Sequence, residues 1–342
     1  MKPLPPASKK PATLDDVAAI AGVSAKTVSR VVNRNANVSA ATRERIEAAI
    51  RESGYQVNQA ARSLAAARSY LIGTFMPNIS SFYHGEIFRG AAKACRQHGY
   101  HLVVEEYDHG AETVLHSYER GLRGAGCDAL LLTPPVCDDK ALLDALDRDG
   151  VRYVRIAPAF QPGRSTALFA DDRQGVEQLV RHLWDRGRRN FGLIAGPSDH
   201  VSAMVRQSTF EQTVGSLGGD IASITSHRPD WQGPMSEEGR VAAMSLLEDI
   251  SRRPDAIFAF NDEAAIGAMA CARDMGLSIP EDIAIAGFDD SYIAQLTWPQ
   301  MTTIHQPIAD LAIKAIKVIS ESKDEEKEQI YLATRLVIRK SS

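Results

Sequence analysis

A chain of 342 residues, 44% hydrophobic and 24% charged, has room for two or three folding units with sizeable cores. No apolar run is long enough to span a bilayer, which argues against a helical membrane protein. The net charge of −4 conceals an asymmetry: residues 1–68 carry 11 Lys+Arg against 5 Asp+Glu, so a basic head precedes an acidic body. That distribution directs a polyanionic partner to the head alone.

Residues 1–11, MKPLPPASKKP, read as a disordered Pro/Lys tail. They are charged but lack the apolar stretch of a signal peptide, so a cytoplasmic location is expected. Cys95, Cys127, Cys137 and Cys271 are scattered without paired spacing, as buried free thiols would be, and no metal or cofactor is expected.

The head, residues 12–57, predicts three short helices. Thr13 stands three positions before Asp16 in capping-box register, and Leu14, Val17, Ala18 and Ala21 share one helical face. Gly22 ends that helix, Val23 plugs the core and Ser24 caps a second helix. In the second helix Val28, Val31 and Val32 point inward, leaving Ala25, Lys26, Ser29, Arg30 and Asn33 outside. Ser39 caps a third helix that packs through Ile46, Ala49 and Ile50 and stops at Ser53-Gly54. Two short helices about a glycine turn, followed by a third, fit a helix-turn-helix. Such a motif lays its second helix in the major groove.

The stretch TLDDVAAIAGVSAKTVSRVVNRNANVSAATRERIEAAIRESGY, from Thr13 to Tyr55, resembles the head of the LacI/GalR family of bacterial transcriptional regulators. The resemblance continues through hinge and core. It implies that Ala25, Lys26 and Arg30 face DNA bases. Ser24, Thr27, Ser29, Asn33, Val38, Ser39 and Thr42 would then lie near the backbone or groove wall, with Tyr55, Asn58 and Ala61 contributing nearer the hinge. Lys26 can donate to guanine O6/N7, Arg30 can do so bidentately, and Ala25 offers a methyl contact. Hydroxyls such as those of Thr27 and Ser39 suit phosphate positioning.

Residues 58–69, NQAARSLAAARS, have high helix propensity but are too few for a stable isolated helix. Leu64 in their midst suits either a linker helix docked on the core or a hinge that folds on DNA with the leucine wedged into a minor-groove step. The resemblance favours the wedge. It implies a homodimer on an inverted-repeat operator of double-stranded DNA, since two hinges are needed to wedge one step. The family pattern has a proline before Asn58 where this chain has Val57. No leucine heptad follows the last strand, so a dimer is expected rather than a tetramer built by an added coiled coil.

From Tyr70 apolar runs alternate with amphipathic stretches, predicting parallel sheets with right-handed crossovers. Strands are expected at YLIGTFMP, YHLVVEE, DALLLT and VRYVRI, with helices over 84–98, 112–125 and 138–149 between them. A second series places strands at NFGLIAG, 221–225, DAIFAF and IAIAGF, and helices over 173–187, 202–217, 236–251 and 262–275. The resemblance implies a two-lobed, doubly wound α/β core like the periplasmic binding proteins. Lobe 1 would span about 70–167 and 305–323, and lobe 2 about 168–304 and 324–342. The helix 308–321 would return to lobe 1, and a final strand, 329–338, would finish on lobe 2.

Ligands in open α/β sheets bind beyond the carboxyl ends of strands. Asn261 and Asp289 stand at two such ends, Ser202 and Arg206 on the helix after GLIAGP, and Phe82 and Tyr83 after the first strand. The resemblance carries an effector-binding role onto Ser202, Arg206, Trp231, Asn261, Asp289 and Gln306. Carboxylate, amide and guanidinium groups around an aromatic face suit a polyol, so a saccharide effector is expected. A purine or other small metabolite is the alternative within this fold, and a transporter's solute-binding protein is the rival outside it. Asp262 and Asp290 read as helix caps or loop anchors. Phe82 and Tyr83 suit lobe-interface packing as well as ligand contact. No catalytic motif such as GxSxG, HExxH or GxxxxGKS stands in the sequence, and no enzyme is expected.

Overall fold

The computed structural model describes residues 12–32, 38–55, 63, 68–77, 81–107, 113–198, 200–226, 235–321 and 327–342. They fall in two compact units, Met1–Ser69 and Tyr70–Ser342.

In the first unit, α1 (Leu14–Ala21) begins with the capping box expected from sequence. The Thr13 amide donates to Asp16 Oδ2 at 2.8 Å, and the Asp16 amide donates to Thr13 Oγ1 at 3.3 Å. Donation from both the Thr13 amide and the Thr13 hydroxyl holds the Asp16 carboxyl below the usual range. Gly22 takes the left-handed conformation, φ 62°, that lets the chain turn into α2 (Ala25–Val32) without a Cβ penalty. α3 (Ala40–Ser53) starts at Ser39, whose hydroxyl accepts from the Thr42 amide at 3.3 Å. Val17, Ala18, Ala21, Val28, Val31, Ile46 and Ala49 form a small closed core.

The second unit holds two parallel sheets. Lobe 1 contains β1 (Leu71–Pro77), α4 (Phe82–His98) and β2 (His101–Tyr107). The next helix, α5, runs Val114–Ser117, widens to a π turn over Tyr118–Leu122 and closes as Arg123–Ala125. Then come β3 (Ala129–Leu132), α6 (Lys140–Asp149), β4 (Arg152–Ile156) and β5 (Ala167–Asp171).

Lobe 2 contains α7 (Asp172–Asp185), β6 (Asn190–Ala195), α8 (Val201–Leu217), β7 (Asp220–Ser226) and α9 (Met235–Leu247). It continues through β8 (Ala256–Ala259), α10 (Asp262–Asp274) and β9 (Ala284–Ala286). β10 (Thr303–His305) leads back to α11 (Ile308–Glu321), followed by β11 (Gln329–Ala333) and β12 (Arg335–Val337).

The lobe 1 sheet has the order β11-β5-β4-β3-β1-β2 and the lobe 2 sheet β7-β6-β8-β9. Both are parallel throughout, so helices must cover both faces. In lobe 1, α4 and α11 cover one face through Ile87, Ala91, Leu311 and Ala315. Tyr118, Leu142 and Leu146 cover the other. α4 and α11 approach so closely that a Cβ on Gly90 would lie 2.3 Å from the Ala309 carbonyl oxygen. In lobe 2, α9 and α10 cover one face and α7 and α8 the other.

The final strand differs from the sequence expectation. Residues 329–338 do not form one strand on lobe 2: β11 joins the lobe 1 sheet parallel to β5, and β12 pairs antiparallel with β10. The break is at buried Thr334, whose hydroxyl donates to the Asp171 carbonyl at 2.6 Å. β5 likewise stays in the lobe 1 sheet to Asp171, so the first crossing falls there and not at 167. The helix expected over 236–251 stops at Leu247.

Candidate functional site

On the head, Lys26 and Arg30 are exposed, Ser29 and Thr27 half-buried, all on α2. Ser24 and Thr27 form a cap pair: the Thr27 amide donates to Ser24 Oγ at 3.2 Å, and the two hydroxyls lie 2.9 Å apart. Ser39 and Thr42 repeat the arrangement on α3, again with hydroxyls 2.9 Å apart. The same hydroxyls therefore fix the amino ends of two helices and present oxygen at their positive poles, where phosphate is favoured. Ala25 departs from its expected place on the outer face: it is half-buried against the three-helix core, as are Val38 and Tyr55. Asn33, Asn58, Ala61 and Leu64 lie outside the described residues.

The second unit contains a cleft beyond the carboxyl ends of the strands, of about 880 Å³ including its solvent-filled mouth. Tyr83, Ser202, Arg206, Asn261, Asp289 and Gln306 all line it. Phe82 does not; its ring faces Tyr292 of lobe 2 at 6.3 Å, and it lines a neighbouring polar groove. Trp231 lies outside the described residues.

Arg206 organises the cleft floor. It projects from α8 and is only 5% exposed. Nη1 donates to the Phe260 carbonyl at 2.8 Å, and Nη2 reaches Asp172 Oδ1 and Gln306 Oε1, each at 3.4 Å. Nε faces Asp172 Oδ2 at 3.4 Å. The guanidinium lies over Phe288 at 3.5 Å and near Phe260 at 4.8 Å. These three hydrogen bonds use three of its five N–H groups, leaving one on Nη1 and the buried one on Nε.

Burial pushes the Asp172 carboxyl up, while Arg206 and the Ser202 hydroxyl pull it back. Burial also drives Asp289 well above the usual carboxylate range; Arg206 opposes, and the carboxylates of Asp262, Glu263 and Asp172 add to the rise. Asp289 and Asp290 both have positive φ, 116° and 58°. Strain at two consecutive non-glycine residues is held by paired backbone: the Asp289 amide donates to the Ile304 carbonyl at 2.8 Å.

Asn261 caps α10, its Oδ1 accepting from the Ala264 amide at 2.8 Å, so its amide nitrogen is left for a ligand. Asp262 and Asp290 are the loop anchors that the sequence suggested. Asp262 accepts from the Ser291 amide at 2.7 Å and from the Thr303 hydroxyl. Burial pushes its carboxyl up to about 6, against the pull of both donors. Asp290 is bound by Arg339 and by His305 Nδ1 at 3.1 Å.

Sequence reasoning missed three titratable cleft residues. His84 and His200 line it from opposite lobes. Burial lowers His84 to about 4 against the pull of the Pro134 carbonyl, and burial with the Arg206 charge lowers His200 to about 3. Glu263 lines it beside Asn261. Glu263 adjoins a motif that had been singled out, which was the available signal. The histidines carried none, since a lone histidine is more often core than ligand.

Residues 13–58 match the model of bacterial regulatory proteins of the lacI family, and residues 180–342 that of a periplasmic binding protein-like domain. The chain belongs to the LacI family of bacterial transcriptional regulators. It is 32% identical over 342 residues to the HTH-type transcriptional regulator CelR of Thermobifida fusca, covering 96% of this chain and 98% of that one. A solved CelR–cellobiose complex is similar over 97% of this chain and 100% of its own, with 28% identity and a TM-score of 0.71. A lac repressor dimer bound to operator and the anti-inducer ONPF is similar over 97% of this chain and 99% of its own, with 28% identity and a TM-score of 0.73. The chain is thus a helix-turn-helix regulator joined to an α/β effector core, as its sequence predicted.

Proposed function

We propose that this regulator is a repressor that binds an inverted-repeat operator as a homodimer and is controlled by an uncharged saccharide. The observation that carries the effector class is the state of Arg206. Its guanidinium is engaged by Asp172, Gln306 and the Phe260 carbonyl, so it is no free anchor for an anion. The same cleft adds the carboxyl groups of Asp289 and Glu263, and its described lining holds no further Lys or Arg to pair a phosphate or carboxylate. What is left is a set of hydroxyl, amide, imidazole and carboxylate groups suited to a ligand that both donates and accepts hydrogen bonds. Cellobiose in the similar CelR complex supports the same class.

Ser202, Arg206, Asn261, Asp289, Gln306 and Tyr83 are the proposed effector contacts. Lys26 and Arg30 are the proposed base contacts. In self-association, Tyr292, Leu296 and Trp298, which are 63%, 72% and 76% exposed, offer an apolar patch on lobe 2. The lac repressor relative is a dimer in its solved structure. We place the protein in the cytoplasm, acting by linkage and without turnover: effector changes lobe arrangement, and its differential affinity for two states sets the operator response.

The test is thermal-shift screening of cellobiose, other neutral sugars, sugar phosphates and nucleobases, with hits carried into operator gel shifts. A neutral sugar should raise the melting temperature and alter operator binding. Stabilisation by sugar phosphates or nucleobases alone would refute the effector assignment.

A further inference from the structure

A hydrogen bond joins the two lobes beside the cleft. The Phe82 amide, first residue of α4 in lobe 1, donates to Glu263 Oε1 on lobe 2 at 3.3 Å, across 181 positions of sequence. α4 needs such a partner. Its N-cap, Ser81, makes no side-chain cap bond, and its first turn holds no acidic residue. Among the described residues, this 17-residue helix thus finds no side-chain cap of its own at its positive pole. Glu263 is itself the second residue of α10, behind the N-cap Asn261. Its carboxylate therefore stands between two helix amino termini, one from each lobe. Removing it would take this acceptor from the α4 terminus, while α10 would keep its Asn261 cap and Asp262 in its first turn.

We infer that Glu263 is a positioning residue for the effector response, a latch that caps α4 from the opposite lobe and favours the closed arrangement. This rests on the reading of the cleft as the effector site, since Glu263 lines it and a bound molecule would share its surroundings. The Phe82 ring, set against Tyr292 at 6.3 Å, crosses the same seam beside the latch. Because the cap exists only while the lobes are together, its strength adds directly to the closed-to-open ratio. A cap supplied within α4 would have no such effect.

The test uses the full chain without any effector, so its result is separable from the outcome of sugar screening. Dyes are attached at Arg96→Cys and Glu281→Cys, both exposed positions on opposite lobes, in a Cys127→Ser background; Cys95, Cys137 and Cys271 are buried. Labelled protein is mixed with excess unlabelled protein, and single-molecule energy transfer reads the closed-to-open ratio. Hydrogen bonds to charged groups predict a fall of about tenfold or more for Glu263→Ala. Glu263→Gln keeps a neutral acceptor of about half the strength, for a fall of roughly threefold. An unchanged ratio in Glu263→Ala, even with a lowered melting temperature, overturns the latch and leaves only a cap. Should the alanine variant not fold, an unchanged ratio in Glu263→Gln overturns it equally.

Discussion

The guanidinium carbon of Arg206 lies over the ring of Phe288, 3.5 Å from its centroid, while Asp172 faces its Nε at 3.4 Å. A planar, weakly hydrated cation can be held so; an ammonium cannot use the ring face and the fork of donors together. Arg206→Lys should therefore abolish the calorimetric heat of sugar binding while sparing the fold. Arg206→Ala leaves Asp172 buried without its partner, at a cost of about 3–5 kcal/mol, read as a lower midpoint in denaturant. Equal sugar affinity in Arg206→Lys and the parent would remove Arg206 from the effector contacts.

Acid sensitivity should trace in part to His84. Its imidazole is lowered to about 4 by burial, whereas in the unfolded chain it titrates near 6.5. The unfolded state therefore binds the extra proton first, and the contribution of neutral His84 is full above pH 6.5 and lost as pH falls toward 4. His84→Phe removes that proton uptake. Between pH 7 and pH 5 the parent should lose about 2 kcal/mol relative to the variant in urea unfolding. Asp262, raised to about 6, works in the opposite sense, losing stability as pH rises from about 4 through 6. Asp262→Asn should remove that loss, so parallel pH profiles for parent and Asp262→Asn would contradict the assignment.

On the head, Lys26 and Arg30 are exposed and away from its core, so their removal should not shift melting. Each alanine substitution should weaken specific operator binding by about 1–3 kcal/mol and relax specificity at one base. Binding to unrelated DNA should fall much less. Equal losses on specific and unrelated DNA would reassign these residues to phosphate.

Gly267 and Gly239 let α9 and α10 touch. A Cβ on Gly267 would lie 1.9 Å from the Ser236 carbonyl oxygen, and one on Gly239 would lie 2.1 Å from that of Ala264. Backbone cannot yield as a side-chain tip can, so Gly267→Ala should cost about 1–3 kcal/mol through helix displacement. Thermal melting of the ligand-free chain checks this, and an unchanged midpoint would mean the helices slide apart freely.

Much of this was legible in residue order because it is locally determined. Thr13 and Asp16 sit three apart in any helix start, and the alternation from Tyr70 onward admits few folds other than wound parallel sheets. Asn261 and Asp289 were found because strand carboxyl ends are recognisable without knowing which sheet they join. The break at Thr334 was not legible, since Gln329–Ile338 alternates much like one strand and the partner that stops it, Asp171, is 163 positions away. Glu263 was hidden for the same reason. Its meaning depends on an amide in the other lobe.

The three crossings between lobes are laced to one another. Asp171 pairs with Ala333, Thr334 ties to Asp171, Arg335 pairs with His305, and His305 bridges to Asp289. Backbone pairings and the Thr334 hydroxyl bond run sideways through all three, so sliding of one crossing past another would break them. Such lacing would act as a leaf spring, with a small bend at its line becoming a larger travel at the rim.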